Sequence, residues 1–169
     1  MDNNTKIAII GCGNLGLSIA NGLLSTEGFD GKRLIVTKRH PESLFYLESQ
    51  GVTVLADNKE AVKDADFVIL GVKPYNIQPI LQEIKPFLKK DKQVIASLAA
   101  GITLQAIKAE LEPGTTVFRV MPNIAADIKE SITCICGEGF DQKTEEAIKA
   151  IFNSVGISIT IEEHLMEAA

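Results

Sequence analysis

The 169-residue chain is 46% hydrophobic and 23% charged, and its 17 Lys and Arg against 22 Asp and Glu leave a net charge of −5. That length suits one domain with a substantial core, the acidic balance gives no general affinity for nucleic acid, and no apolar run approaches a membrane span. The opening MDNNTK lacks the basic start and apolar core of a secretion signal, and three cysteines are an odd number for a disulfide framework, so a cytoplasmic protein with reduced thiols is expected, with neither nucleic acid nor membrane as partner.

The first element is the run KIAII at residues 6–10, followed directly by GCGNLG and then by an apolar helical pattern. Three glycines between a strand and a helix form the context of a dinucleotide-binding turn. Gly11 permits the tight bend, Gly13 lets a pyrophosphate approach the backbone without meeting a Cβ, and Gly16 lets the helix pack closely on the sheet. The free amides of the helix start, including those of Asn14 and Leu15, then face the phosphates. Cys12 reads as a small packing residue within the loop. The spacing of Gly11 and Gly16 also fits a P-loop, but Leu17 stands where that motif needs its lysine, which sets ATP and GTP aside.

The next strand, LIVT at 34–37, ends in Thr37, Lys38 and Arg39, where NAD-specific domains place an acid against the ribose hydroxyls. A carboxylate would repel a 2′-phosphate, whereas Arg39 can pair with it bidentately, a contact of about 4 kcal/mol before desolvation at intermediate dielectric. NADPH is therefore the expected cofactor, with NADH weaker; a pair of solvated loop charges is the alternative.

Further runs follow at 52–55 (VTVL), 66–72 (DFVILGV), 93–98 (QVIASL) and 116–120 (TVFRV), each separated by a helical pattern. Buried strands alternating with helices predict an α/β fold: a Rossmann-type, doubly wound, mostly parallel sheet with helices on both faces. After Pro122, SITCIC (131–136), a helix over about 142–153 and GISITI (156–161) extend the sheet. The closing EEHLMEAA reads as the opening of a helix with an acidic first turn and no terminating Gly or Pro. The expected organisation is a nucleotide-binding domain over residues 1–161, with 162–169 starting a helix that leads into a further domain.

With GCGNLG, DFVILGVKP, SLAAG and RVMPN in this order, the chain resembles the cofactor-binding half of pyrroline-5-carboxylate reductase. The resemblance implies NADPH-dependent reduction of the small-molecule imine 1-pyrroline-5-carboxylate to L-proline. It also implies a homo-oligomer built through a second, all-helical domain that carries the substrate-binding residues, so no catalytic residue is expected within these 169. Carried over by position, the cofactor would meet Gly11 to Gly16, Lys38, Arg39 and Asn58 on the adenosine side. Val72, Lys73 and Pro74 after the fourth strand, and Ala99, Ala100 and Gly101 after the fifth, complete its bed. Met121, Pro122 and Asn123 would lie near nicotinamide and substrate.

Each has a plainer reading: Asn58 as a helix N-cap, Lys73 as a surface lysine, Pro74 as a spacer that delays the next helix, and Asn123 as a turn asparagine. The family commonly continues MPN with Thr-Pro; here Ile124 and Ala125 follow, a departure that a relative acting on another imine would share. A β-hydroxyacid or prephenate-type dehydrogenase domain and a non-catalytic dinucleotide module are the competing readings. Reduction of a protonated imine needs positioning more than acid–base chemistry, in keeping with only two histidines, His40 and His164, both read as surface residues. Cys134 and Cys136 share a strand face without companions for a metal, so core packing is expected and no metal site.

Overall fold

The structure is a computed structural model that describes residues 1–168. Eight strands, β1 (Ile7–Ile10), β2 (Leu34–Thr37), β3 (Thr53–Leu55), β4 (Phe67–Leu70), β5 (Val94–Ser97), β6 (Thr116–Met121), β7 (Ser131–Glu138) and β8 (Gly156–Thr160), form one sheet in the order 3-2-1-4-5-6-7-8. All neighbours pair parallel except β6 and β7. The first six reproduce the doubly wound dinucleotide-binding order, with its switch point between β1 and β4.

The helices are α1 (Asn14–Leu24), α2 (Asn58–Val62), α3 (Pro74–Ile84), α4 (Leu104–Ala109) and α5 (Gln142–Phe152). Strand alternation sends Ile7 and Ile9 of β1 into one core layer, with Ile19 and Leu23 of α1 and Ile148, Ile151 and Phe152 of α5. Ala8 and Ile10 enter the opposite layer, with Ile77, Leu81 and Ile84 of α3 and Leu104 and Ile107 of α4. Burial on both faces explains why the central strands β1 and β4 read as continuous apolar runs; at the far edge Ile132 of β7 and Ile157 and Ile159 of β8 stay exposed.

Two connections and the closing stretch are built of 3-10 turns in place of an α-helix. Between β2 and β3 the chain makes 3-10 turns over Pro41–Gln50, burying only Leu44 and Leu47. Between β6 and β7 another 3-10 turn spans Ile124–Ile128, and the antiparallel reversal there turns the last two strands against the rest. The closing stretch, read as a helix opening, is a 3-10 helix over Glu163–Ala168; Ala169 lies outside the described residues. That stretch is bound into the fold. Met166 is fully buried, and Glu163 and Glu167 pair at 3.0 and 3.3 Å with Arg119 of β6, which is 2% exposed. Glu163 also accepts the backbone N–H of Leu104, at the start of α4, at 2.7 Å.

Candidate functional site

β1 stops at Ile10, and Gly11 turns the chain with φ +76°, in the left-handed region. A Cβ there would sit 2.3 Å from Cγ1 of Val72. The loop is tied to the end of β2: the Gly11 N–H donates to Thr37 Oγ1 (3.1 Å) and the Cys12 N–H to the Thr37 carbonyl (2.6 Å). At Gly16 a Cβ would press on Ile9 Cγ2 at 3.1 Å, where α1 packs on β1. At Gly13, by contrast, it would meet nothing within 4 Å. The glycines thus serve a turn, a close helix contact and an open face.

α1 begins on that open face with no side-chain cap and no acid in its first turn. The first helical hydrogen bond runs from the Leu17 N–H to the Gly13 carbonyl (2.8 Å), so the amides of Asn14, Leu15 and Gly16 precede the ladder and carry the helix's partial positive charge. Cys12 lies buried beneath the loop, and burial pushes its thiol up to about 12 against the opposing pull of the Lys38 ammonium. Both suit packing and disfavour a nucleophile.

Two hollows flank the loop. The first, about 420 Å³, brings together Gly11, Thr37, Lys38, Arg39, Asn58 and Val72. It adds four residues that sequence reasoning did not single out: Ala56 after β3, and Asn76, Ile80 and Glu83 along one stripe of α3. Residues 76, 80 and 83 recur at helical spacing, the one signal that could have grouped them. The Thr37 hydroxyl, already accepting from Gly11, donates to Asn58 Oδ1 (2.7 Å), and Asn58 Nδ2 donates to Glu83 Oε2 (3.4 Å). Asn58 is therefore not the cap of α2. That task falls to Asp57, whose Oδ1 accepts from the Lys59 N–H at 2.9 Å, leaving Asn58 to join the loop to α3. Lys38 Nζ reaches Ser43 Oγ at 3.1 Å, and Arg39 is exposed; among the described residues neither cation has a carboxylate within 4 Å.

The second hollow, about 450 Å³, lies between the start of α1 and the β6–β7 connection. Asn14, Leu15, Pro122 and Asn123 line it, together with Ser18 and Asp127, whose hydroxyl and carboxylate are hydrogen-bonded. Asn123 is a turn asparagine in this structure: its Oδ1 caps the 3-10 turn by accepting the Ala125 N–H (3.0 Å), and its own N–H donates to Ser131 Oγ (3.1 Å). Ile124 beside it is 95% exposed.

The remaining expected residues line neither hollow. Lys73, at the N-cap position of α3, makes no capping bond through its side chain, and Pro74 takes the first helical position. Ala99 is buried, whereas Ala100 and Gly101 are exposed, and a Cβ on Gly101, at φ +74°, would meet nothing within 4 Å. Met121 ends β6, half-buried. All sit at the carboxyl ends of β4, β5 and β6, where ligands of open α/β sheets gather. A third hollow, about 490 Å³, opens instead by Phe67 and Val94 at the amino ends of β4 and β5, away from the glycine loop. Among the described residues no three His, Cys, Asp or Glu side chains gather where they could hold a metal ion.

An open backbone face before a helix start, a hollow with an apolar wall and two cations on its rim, and small residues beyond suit an elongated ligand with a diphosphate centre. The residues present fit a nicotinamide dinucleotide.

Residues 6–101 match the family described as NADP oxidoreductase, coenzyme F420-dependent. Pyrroline-5-carboxylate reductase 2 of Dictyostelium discoideum is 35% identical over an alignment of 185 positions that takes in 100% of this chain and 62% of that protein. The structure of a pyrroline-5-carboxylate reductase from Coxiella burnetii superposes with a TM-score of 0.92 at 32% identity, covering 98% of this chain and 62% of that one. Plasmodium falciparum pyrroline carboxylate reductase, solved with NADP bound, shares the fold at a TM-score of 0.87 and 21% identity, over 99% and 61% of the two chains. The resemblance read from the four motifs thus extends along the whole sequence, while the chain spans about three fifths of the length of these proteins.

Proposed function

The chain belongs to the NADP oxidoreductase, coenzyme F420-dependent family, and from its likeness along the whole chain to pyrroline-5-carboxylate reductases we propose that it is the NADPH-binding part of such an enzyme, which reduces a cyclic imine to L-proline in the cytoplasm. Residues 1–161 form the cofactor domain in this reading, and 162–169 lead toward a helical domain that completes the substrate site and joins subunits into a homo-oligomer. The observation that carries the reading is the open face at Gly13, before a helix start with neither side-chain cap nor acid.

Within that assignment the amides of Asn14, Leu15 and Gly16 hold the diphosphate. Lys38 and Arg39, neither paired with a carboxylate among the described residues, take the adenosine 2′-phosphate. Val72, Lys73 and Pro74 follow the cofactor past the switch point, and the small Ala99, Ala100 and Gly101 leave room for the nicotinamide ring. The bound cofactor supplies the hydride. Asn123, whose Oδ1 is spent on its turn, keeps its amide N–H groups for a ligand oxygen in the second hollow. An iminium arrives already protonated at nitrogen, so the chain's own task is to fix its carbon in line with the ring.

Calorimetric titration of the chain with NADPH, NADH and ATP tests the cofactor assignment. NADPH binds, NADH binds more weakly and ATP gives no heat; Arg39→Asp reverses the preference between the first two. Absence of NADPH binding, or unchanged preference in Arg39→Asp, overturns it.

A further inference from the structure

We infer that Glu83 reads the base of the bound dinucleotide, selecting a purine with a 6-amino group over one with a 6-oxo group. The inference rests on the dinucleotide reading above and extends it to residues outside the glycine motif.

The first hollow has three kinds of wall. Ala56, Val72 and Ile80 offer apolar surface for a flat ring. Lys38 and Arg39, at the end of β2, make one rim cationic. On the side of α2 and α3 stand Asn58 and Glu83. A phosphate cannot settle against a carboxylate, so it goes to the Lys38 and Arg39 rim, and whatever faces Glu83 must be neutral or a donor.

The hydrogen-bond chain fixes what is left to donate or accept. Thr37 Oγ1 accepts from the Gly11 N–H, so its proton goes to Asn58 Oδ1. Asn58 must then turn its amide nitrogen toward Glu83, and that contact is long, at 3.4 Å. A carboxylate accepts about four hydrogen bonds, and among the described residues this is the one made to Glu83, with no Lys or Arg nitrogen within 4 Å of it. Glu83 is half-buried on the wall of a hollow wide enough for a base, with acceptor capacity in hand. The 6-amino group of adenine donates at the 6-position; hypoxanthine puts 6-oxo lone pairs there and carries its N–H at N1, so the base must shift to keep a bond to Glu83. A site that holds the ring in place with its acceptor at the 6-position disfavours the second ligand, because the carbonyl repels the carboxylate unless the ring moves off its apolar wall.

The test compares NADPH with its hypoxanthine analogue, deamino-NADPH, by calorimetry on the full chain and on Glu83→Gln. Glutamine keeps the shape and can turn either amide atom inward. The wild type is expected to bind NADPH about tenfold more tightly than the analogue, and Glu83→Gln to bring that ratio close to one. Equal binding of the two ligands by the wild type overturns the inference, as does a ratio that Glu83→Gln leaves unchanged. Tighter NADPH binding by Glu83→Gln with its ratio intact would put the carboxylate beside the phosphate, and also overturns it. The wild-type ratio tests the inference even if the variant does not fold. If the wild type binds neither ligand, the dinucleotide reading itself falls, a result distinct from equal affinities.

Discussion

At Gly13 and Gly11 one residue type serves opposite needs, so substitutions there should separate binding from stability. Gly13→Ser puts a Cβ into open space and adds a favourable N-cap hydroxyl. Its Tm should be unchanged or slightly higher in scanning calorimetry while NADPH affinity falls by at least about tenfold, since only a ligand occupies that space. Gly11→Ala meets Val72 at 2.3 Å with φ at +76°; it should cost about 2 kcal/mol or more, roughly 4 to 8 °C of Tm. The buried Cys12 thiol, pushed up to about 12, should resist alkylation in the folded chain at pH 8 and gain reactivity only as pH climbs toward that value; mass spectrometry of an iodoacetamide time course reads this, and rapid labelling at pH 8 would contradict it. The glycines were legible because three of them stand between a strand run and a helical pattern, where a left-handed turn and a close helix contact favour glycine. The divided labour of Asp57 and Asn58 was not: both are good caps, and which one caps depends on where the helix begins, a matter of one residue.

Among the elements, the closing 3-10 helix acts as a clamp across β6 and α4. Glu163→Ala would strip a partner from the buried Arg119 and an acceptor from the Leu104 N–H in one step. Glu167 still reaches the guanidinium, so the expected loss is about 2 kcal/mol, read as a shift in the urea midpoint without a change of slope. Strands were the most readable elements, since short β-branched runs between turn residues suit a sheet covered on both faces and little else. The direction of β7 was hidden, because an apolar run reports burial and says nothing of which way the strand points. The stretch at Pro41–Gln50 is only weakly amphipathic, and a sequence that buries two side chains in ten residues gives little periodicity to read.

For the whole molecule, the chain should bind NADPH yet turn over pyrroline-5-carboxylate at a small fraction of the rate of a full-length relative, because the lining on the substrate side of the second hollow is expected from another domain. Steady-state absorbance of NADPH measures this, and full activity would show the site to be complete. The proposed cofactor side was readable because recognition through the backbone leaves its trace in glycine. The acceptor offered by Glu83 was not, since nothing in a helical stripe says that a hollow lies before it. The reversal of β7 has a mechanical result. It sends the connecting turn back over α1, where Ala126 joins the apolar layer and Asp127 grips Ser18. In the proposed reading, the turn beneath the substrate is thereby tied straight to the helix that meets the diphosphate, by a contact that does not cross the sheet.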